Sequence, residues 1–149
     1  MELANELEAN VKIRALACVG IVAAVLAAPA QAADKPEDLA QTAAESWLKL
    51  TDAGNAAASW DQAAGLFKGA VSREQWTQAL AGVRPPLGKV ISRKVISRQY
   101  SEKVPGAPDG KYVAIQYETV FENKASAVET ITPMLDPDGT WRVSGYFIR

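Results

Sequence analysis

The sequence predicts an α+β domain with three N-terminal helices packed on one face of a curved four-stranded antiparallel sheet. Three observations carry this. Between Leu39 and Val83 apolar residues recur at three- and four-residue spacings, the period of a helix with one buried stripe. After Pro86 the chain changes to β-rich runs separated by turn sequences. The two kinds of segment are grouped rather than alternated, the pattern of helices laid over a single sheet face.

A segment at the start stands apart. Lys12 and Arg14 precede an apolar run from Ala15 to Ala28, and Ala30-Gln31-Ala32 supplies small residues where a signal peptidase cuts. Residues 1–32 are therefore read as a signal peptide, with cleavage before Ala33. That leaves 33–149 as a single domain in the periplasm or outside the cell. The run is short for a bilayer span, so the membrane is met only during export.

Composition then excludes several chemistries. The chain has no histidine, and its one cysteine, Cys18, lies in the leader. This removes imidazole bases, Ser-His and Cys-His nucleophiles, and nearly every zinc or copper site. No phosphate-binding glycine loop is present, and no cofactor or metal is expected. Loss of the leader removes Glu2, Glu6, Glu8, Lys12 and Arg14, which leaves the domain neutral and without a field to draw nucleic acid. The charge is uneven, with residues 34–61 acidic and residues 84–111 basic. Two solvated faces are expected, with an intramolecular match as the alternative.

The first helix starts at Pro36, with Glu37 and Asp38 at its positive end, and stops at Gly54. Its stripe combines Leu39, Ala43 and Trp47 with Ala40, Ala44 and Leu48. Asn55 caps a second helix through Trp60 and Phe67. Ser72-Arg73-Glu74-Gln75 is a capping box that opens a third, stopped at Arg84-Pro85-Pro86. A strand follows from about Lys89 to Tyr100. It holds the repeat Val90-Ile91-Ser92-Arg93 and Val95-Ile96-Ser97-Arg98, whose five-residue period places equivalent residues on opposite faces of a regular strand.

Three runs complete the sheet: Tyr112 to Phe121, Ser126 to Leu135 and Thr140 to Ile148. Asp136-Pro137-Asp138-Gly139 is a turn sequence, and a two-residue loop at Asn123-Lys124 is the expected earlier reversal. These loops set Tyr117 against Thr130, Glu118 against Glu129, Thr130 against Gly145 and Glu129 against Tyr146. Alternation then turns Tyr117, Val128, Thr130, Thr132, Met134, Val143 and Phe147 toward the helices. Gln116, Glu118, Ala127, Glu129, Ile131, Tyr146 and Ile148 turn away.

Two candidate sites follow. Gly145, Thr130 and Tyr117 place a missing side chain beside two hydroxyls, a small pocket for an apolar ligand with Trp47 and Trp60 at its mouth. The alternative is that Gly145 permits a bend and the tryptophans fill the core. On the outer face Gln116, Glu118, Glu129 and Tyr146 form a candidate homodimer interface. Glu118 opposite Glu129 is either an acid/base dyad or an exposed pair neutralised by neighbouring arginine or lysine.

Trp47-Leu48-Lys49-Leu50-Thr51-Asp52-Ala53-Gly54, Ser59-Trp60, Arg73-Glu74-Gln75-Trp76, Pro108-Asp109-Gly110-Lys111-Tyr112, Ile115-Gln116-Tyr117-Glu118 and Trp141-Arg142-Val143-Ser144-Gly145-Tyr146 stand in a fixed order. Together they resemble the bacterial family called domain of unknown function 4019. The resemblance implies an exported protein without an assigned reaction. The order of helices and sheet also resembles the cystatin-like superfamily that includes nuclear transport factor 2 and ketosteroid isomerase, which implies a pocket on one sheet face and a dimer on the other. The reading is an exported, non-catalytic binding domain whose partner is its own copy, another protein or a small apolar ligand. The alternatives are a cofactor-free isomerase or lyase of the ketosteroid-isomerase type, with Tyr117 and an acid such as Asp61 or Glu45, and a structural cell-envelope protein.

Overall fold

The computed structural model describes residues 33–149. The signal peptide expected at residues 1–32 lies outside the described residues. The domain is α+β, with four helices and an antiparallel sheet in the order β1-β2-β3-β4.

Helix α1 (Pro36–Asp52) has Pro36 in its first turn with Glu37 and Asp38, and it buries Ala40, Ala44, Trp47, Leu48 and Thr51. Leu39 falls off that stripe and is exposed. The second expected helix is two: α2 (Ala56–Asp61), capped by Asn55, and α3 (Gly65–Ala70). The break lies at Ala64, whose backbone is extended and whose N–H donates to the Val143 carbonyl at 2.8 Å. The sheet takes a donor that a continuous helix would have kept.

Helix α4 (Arg73–Leu87) opens with the expected capping box: Ser72 Oγ accepts from Gln75 N–H, and Gln75 Oε1 from Ser72 N–H. It continues through Pro85 and Pro86 instead of stopping at Arg84. The bonds that these prolines cannot make belong to the last turn, and Gly88 N–H closes that turn on the Pro85 carbonyl.

The strands are β1 (Val90–Ser101), β2 (Tyr112–Phe121), β3 (Lys124–Leu135) and β4 (Trp141–Ile148). In β1 the register against β2 shifts at Ile91 and again at Ile96. Each shift is a bulge that takes one residue out of the alternation. Five residues with one bulge advance the pleat by an even number, so the two halves of the repeat are in phase. Val90 and Val95, and likewise Arg93 and Arg98, turn toward the helices, while the extra isoleucines are exposed.

Two expected registers are corrected. The reversal between β2 and β3 is Glu122-Asn123, one residue earlier than the sequence reading, and a bulge between Thr119 and Phe121 then sets two residues of β3 against Val120, so that Tyr117 opposes Glu129 and Glu118 opposes Val128. The segment joining α4 to β1 fixes it: Glu122 N–H donates to Lys89 O, Asn123 N–H to Leu87 O and Lys89 N–H to Glu122 Oε2. Gly88 permits this docking, since at φ +73° an added Cβ would lie 2.9 Å from Glu122 Cβ.

Between β3 and β4, Leu135 opposes Trp141, and the register shifts again between Thr132 and Pro133. Pro133 has no N–H for the ladder, and Ser144 Oγ donates to the Thr132 carbonyl at 2.7 Å. Beyond this bulge Thr132 opposes Gly145, Ile131 opposes Tyr146 and Thr130 opposes Phe147.

The one-residue slip exchanges the faces of β3. Ala127, Glu129, Ile131 and Pro133 face the helices, while Val128, Thr130, Thr132 and Met134 turn outward. In β4 the bulge keeps Val143 inside, brings Tyr146 inside and puts Phe147 outside, 52% exposed. Strand β2 faces as expected, with Val113, Ile115, Tyr117, Thr119 and Phe121 buried. The core joins Val113, Ile115, Ile131 and Val143 to Ala40, Ala44, Trp47, Leu48, Trp76 and Leu80 from the helices.

Candidate functional site

The exchanged faces bring together charged groups that the sequence reading had kept apart. Glu129 is completely buried beneath the helices. Its carboxylate accepts from Arg93 Nε at 3.1 Å, from Arg93 Nη2 at 2.9 Å and from the Tyr146 hydroxyl at 2.8 Å. Arg93 also forks onto Asp52 at the end of α1, with Nη1 to Oδ2 at 2.8 Å and Nη2 to Oδ1 at 3.0 Å. Arg84 of α4 donates from Nη2 to the same Oδ1 at 2.8 Å. Two arginines and two carboxylates thus balance in a network that links α1, α4, β1 and β3.

Buried charge persists only with this degree of pairing. Burial acts to lower the Arg93 pKa, but its hydrogen bonds to Asp52 and the charges of Glu129 and Asp52 raise it on balance. Burial and the Glu129 charge raise the pKa of Tyr146, and burial with the Glu45 charge raises that of Tyr117. Both phenols are held neutral. A second pair, Arg98 with Asp38 at 2.6 Å, completes the intramolecular match between basic and acidic segments. The separate solvated faces expected from the sequence are corrected accordingly.

The five candidate ligand residues do not share a cavity. Trp47 is core: its Nε1 donates to the Ser59 carbonyl at 2.7 Å, and its ring meets Tyr146, Trp76 and Phe67 at 5.3, 5.6 and 6.3 Å. Trp60 donates to the Val71 carbonyl, with Arg73 and Lys68 over its ring. Tyr117 is buried on the helix side, and its hydroxyl has no partner among the described residues. Thr130 and Gly145 lie on the opposite face, where an added Cβ at Gly145 would meet Thr132 Cβ at 3.9 Å, an ordinary contact.

The four candidate interface residues divide as well. Gln116 and Glu118 are on the outer face, and Glu129 and Tyr146 are inside. Glu118 and Glu129 therefore form no dyad. Asp61 pairs with Arg73 at the surface, and Glu45 accepts from Gln41 Nε2 at 2.7 Å on an exposed turn of α1. Arg93 was among the cations expected to neutralise Glu129, and the residues missed by sequence reasoning are Asp52 and Arg84. The five-residue repeat was the signal for Arg93 and Arg98, which a bulge per repeat sets opposite Asp52 and Asp38 of α1.

The outer face is the second feature. Phe147, Thr130, Gln116 and Ser97 form one row across the four strands, and Gly145, Thr132, Ala114 and Gln99 form the next. Beyond the first row Lys94 opposes Glu118, which opposes Val128. Among the described residues the helices pack against the other face. The loop before β2 lies against Tyr112 on this face, whose hydroxyl donates to the Pro108 carbonyl at 2.7 Å.

No curated protein sequence matches the chain. The family model described as "Protein of unknown function (DUF4019)" matches residues 43–146, from the middle of α1 to Tyr146 in β4. That match takes in the network, the aromatic core and all four strands, and the chain belongs to the DUF4019 family.

Proposed function

We propose that this protein is an exported, non-catalytic binding domain whose partner is a second copy of itself, docked through the outer face of the sheet. The carrying observation is that face: an uncharged centre of threonine, serine and glutamine side chains with Ala114 and Gly145, and with Phe147 half exposed on its β4 side. The corrected interface keeps Gln116 and Glu118 and replaces Glu129 and Tyr146 with Thr130, Thr132 and Phe147. Charges of both signs, Lys94 and Glu118, stand together at the rim. A two-fold arrangement can set each against the other in the opposing copy.

Four strands about 4.8 Å apart, over about eight residues at about 3.3 Å, offer roughly 500 Å² in plan. That is below the about 800 Å² per partner of standard interfaces, so the dimer is a weak one.

Catalysis of the ketosteroid-isomerase type needs a free carboxylate base beside a hydroxyl donor. Here the buried carboxylate that meets a tyrosine, Glu129, is already neutralised by Arg93, and Glu102, which accepts from Tyr100 at 3.0 Å, lies on the exposed surface, which favours binding over proton transfer. Sedimentation equilibrium from micromolar to millimolar protein tests the proposal. A reversible dimer is expected, lost in Phe147→Ser. Wild-type protein that stays monomeric at millimolar concentration would overturn it. N-terminal sequencing of the processed protein, expected to begin at Ala33, tests export separately.

A further inference from the structure

Arg84 carries an inference independent of self-association. Its side chain is only 7% exposed, and Nη2 alone is hydrogen bonded, while Nε and Nη1 are closed to solvent and have no partner among the described residues. Arg93 in the same network uses all three of its nitrogens. Asp52 accepts three of the network's bonds, two from Arg93 and one from Arg84 Nη2, and neither Nε nor Nη1 of Arg84 bonds to it. One face of the Arg84 guanidinium lies 4.7 Å from the centre of the Phe121 ring. That contact satisfies the plane of the head group and leaves its edge to hydrogen bond. A guanidinium has five N–H groups, and buried ones are ordinarily paired.

Arg84 also lines a cleft of about 460 Å³ between the C-terminal end of α1, α2, α4 and the loop at Gly88. That is the size of a small-molecule site. The walls are largely apolar, with Ala53, Ala56, Leu80, Ala81 and Pro85. Lys89 and Glu122 lie at the rim.

We propose that this cleft binds a small monocarboxylate with an apolar body, and that the buried Arg84 side chain shifts to present the edge of its guanidinium to the carboxylate. A planar carboxylate matches the two-donor fork of arginine, and the apolar walls take the hydrocarbon part. Asp52 and Glu122 line the cleft with Arg84 and Lys89, so ligand charge is added to a balanced site, and a monoanion meets less repulsion there than a dianion.

The test is a heteronuclear NMR titration of the processed protein with sodium octanoate and sodium benzoate, with octanol, benzyl alcohol and inorganic phosphate as comparators. Saturable shifts are expected at Ala53, Ala56, Ala81 and the Arg84 Nε–H for the carboxylates, and weaker binding for the alcohols and phosphate. Arg84→Met should weaken carboxylate binding by about tenfold or more, the scale of one charged hydrogen-bonded contact. Because Arg84 also holds Asp52, Ala81→Phe serves as the second variant. It fills the cleft from an exposed position on α4, leaves the network intact and should abolish the shifts. The proposal is overturned if neither carboxylate gives saturable shifts at the cleft, if octanol binds as tightly as octanoate, or if Ala81→Phe binds like wild type.

Discussion

Glu129 shows how far one side chain depends on its surroundings. As an exposed carboxylate it would be worth little to the fold; buried, it is held by Arg93 and Tyr146 and in turn prevents Arg93 from standing over an incomplete set of acids. Removing one member is thus worse than removing two. Glu129→Leu should cost about 3–5 kcal/mol in denaturant unfolding, because Arg93 then keeps a desolvated charge with Asp52 alone, and Asp52 is shared with Arg84. The double variant Arg93→Met/Glu129→Leu leaves Asp52 and Arg84 as a balanced pair and should recover most of that loss. Equal or additive destabilisation in the double variant would show that the pair is not coupled as the geometry requires.

Among the elements, β1 is the most instructive, because its two bulges convert an odd repeat into an even one. If Ile96 is the residue outside the alternation, deleting it closes the bulge and leaves Val95, Ser97 and Arg98 on their present faces. Deleting Lys94 instead reverses the face of every residue on one side of the gap, separating Arg93 from Glu129 and Asp52. The Ile96 deletion should stay folded, within about 1–2 kcal/mol of wild type. The Lys94 deletion should lose about as much as a broken buried ion pair, about 3–5 kcal/mol. Similar stability for the two deletions, measured by thermal and denaturant unfolding, would rule out a bulge at Ile96. The same strand marks the limit of what the residues disclose on their own. The Ser72 capping box, the Pro36 helix start, the Asp136-to-Gly139 turn and the inward set of β2 follow from local rules, and each is where those rules put it. The register of β3 does not, since Glu122-Asn123 is selected by hydrogen bonds to a segment more than thirty residues away. The bulge beside that turn makes the slip odd, which was enough to send Glu129 and Tyr146 to the wrong face and to hide the arginine network. Pro133 was the local sign of a bulge in β3, and it was legible as such.

On the scale of the whole domain, the two neutral tyrosines tie stability to alkaline pH. The ordinary phenol pKa is 10.0, and both Tyr117 and Tyr146 are raised above it, chiefly by burial and then by neighbouring carboxylate charge. In the pH range above 10 the unfolded chain releases these two protons while the native chain keeps them. The native state then binds more protons than the unfolded state, so the free energy of unfolding falls as pH rises. The stabilisation is fully present below pH 10 and is lost progressively above it, at about 1.4 kcal/mol per phenol for each pH unit until the folded pKa is reached. The two groups sit on different sides of the same core, Tyr146 against Trp47 and Trp76, and Tyr117 opposite Glu129 on β2. Neither can ionise without opening the contact between helices and sheet. Phenolate absorbance should therefore rise in two stages: one from tyrosines that titrate in the native chain, and one coincident with the loss of near-ultraviolet circular dichroism. Tyr146→Phe removes one of the coupled protons and should roughly halve the slope of stability against pH above 10, even though it also deletes the hydroxyl that donates to Glu129. If all four tyrosines titrate together while the fold persists, the burial of these two phenols and the inward position of Tyr146 are both refuted.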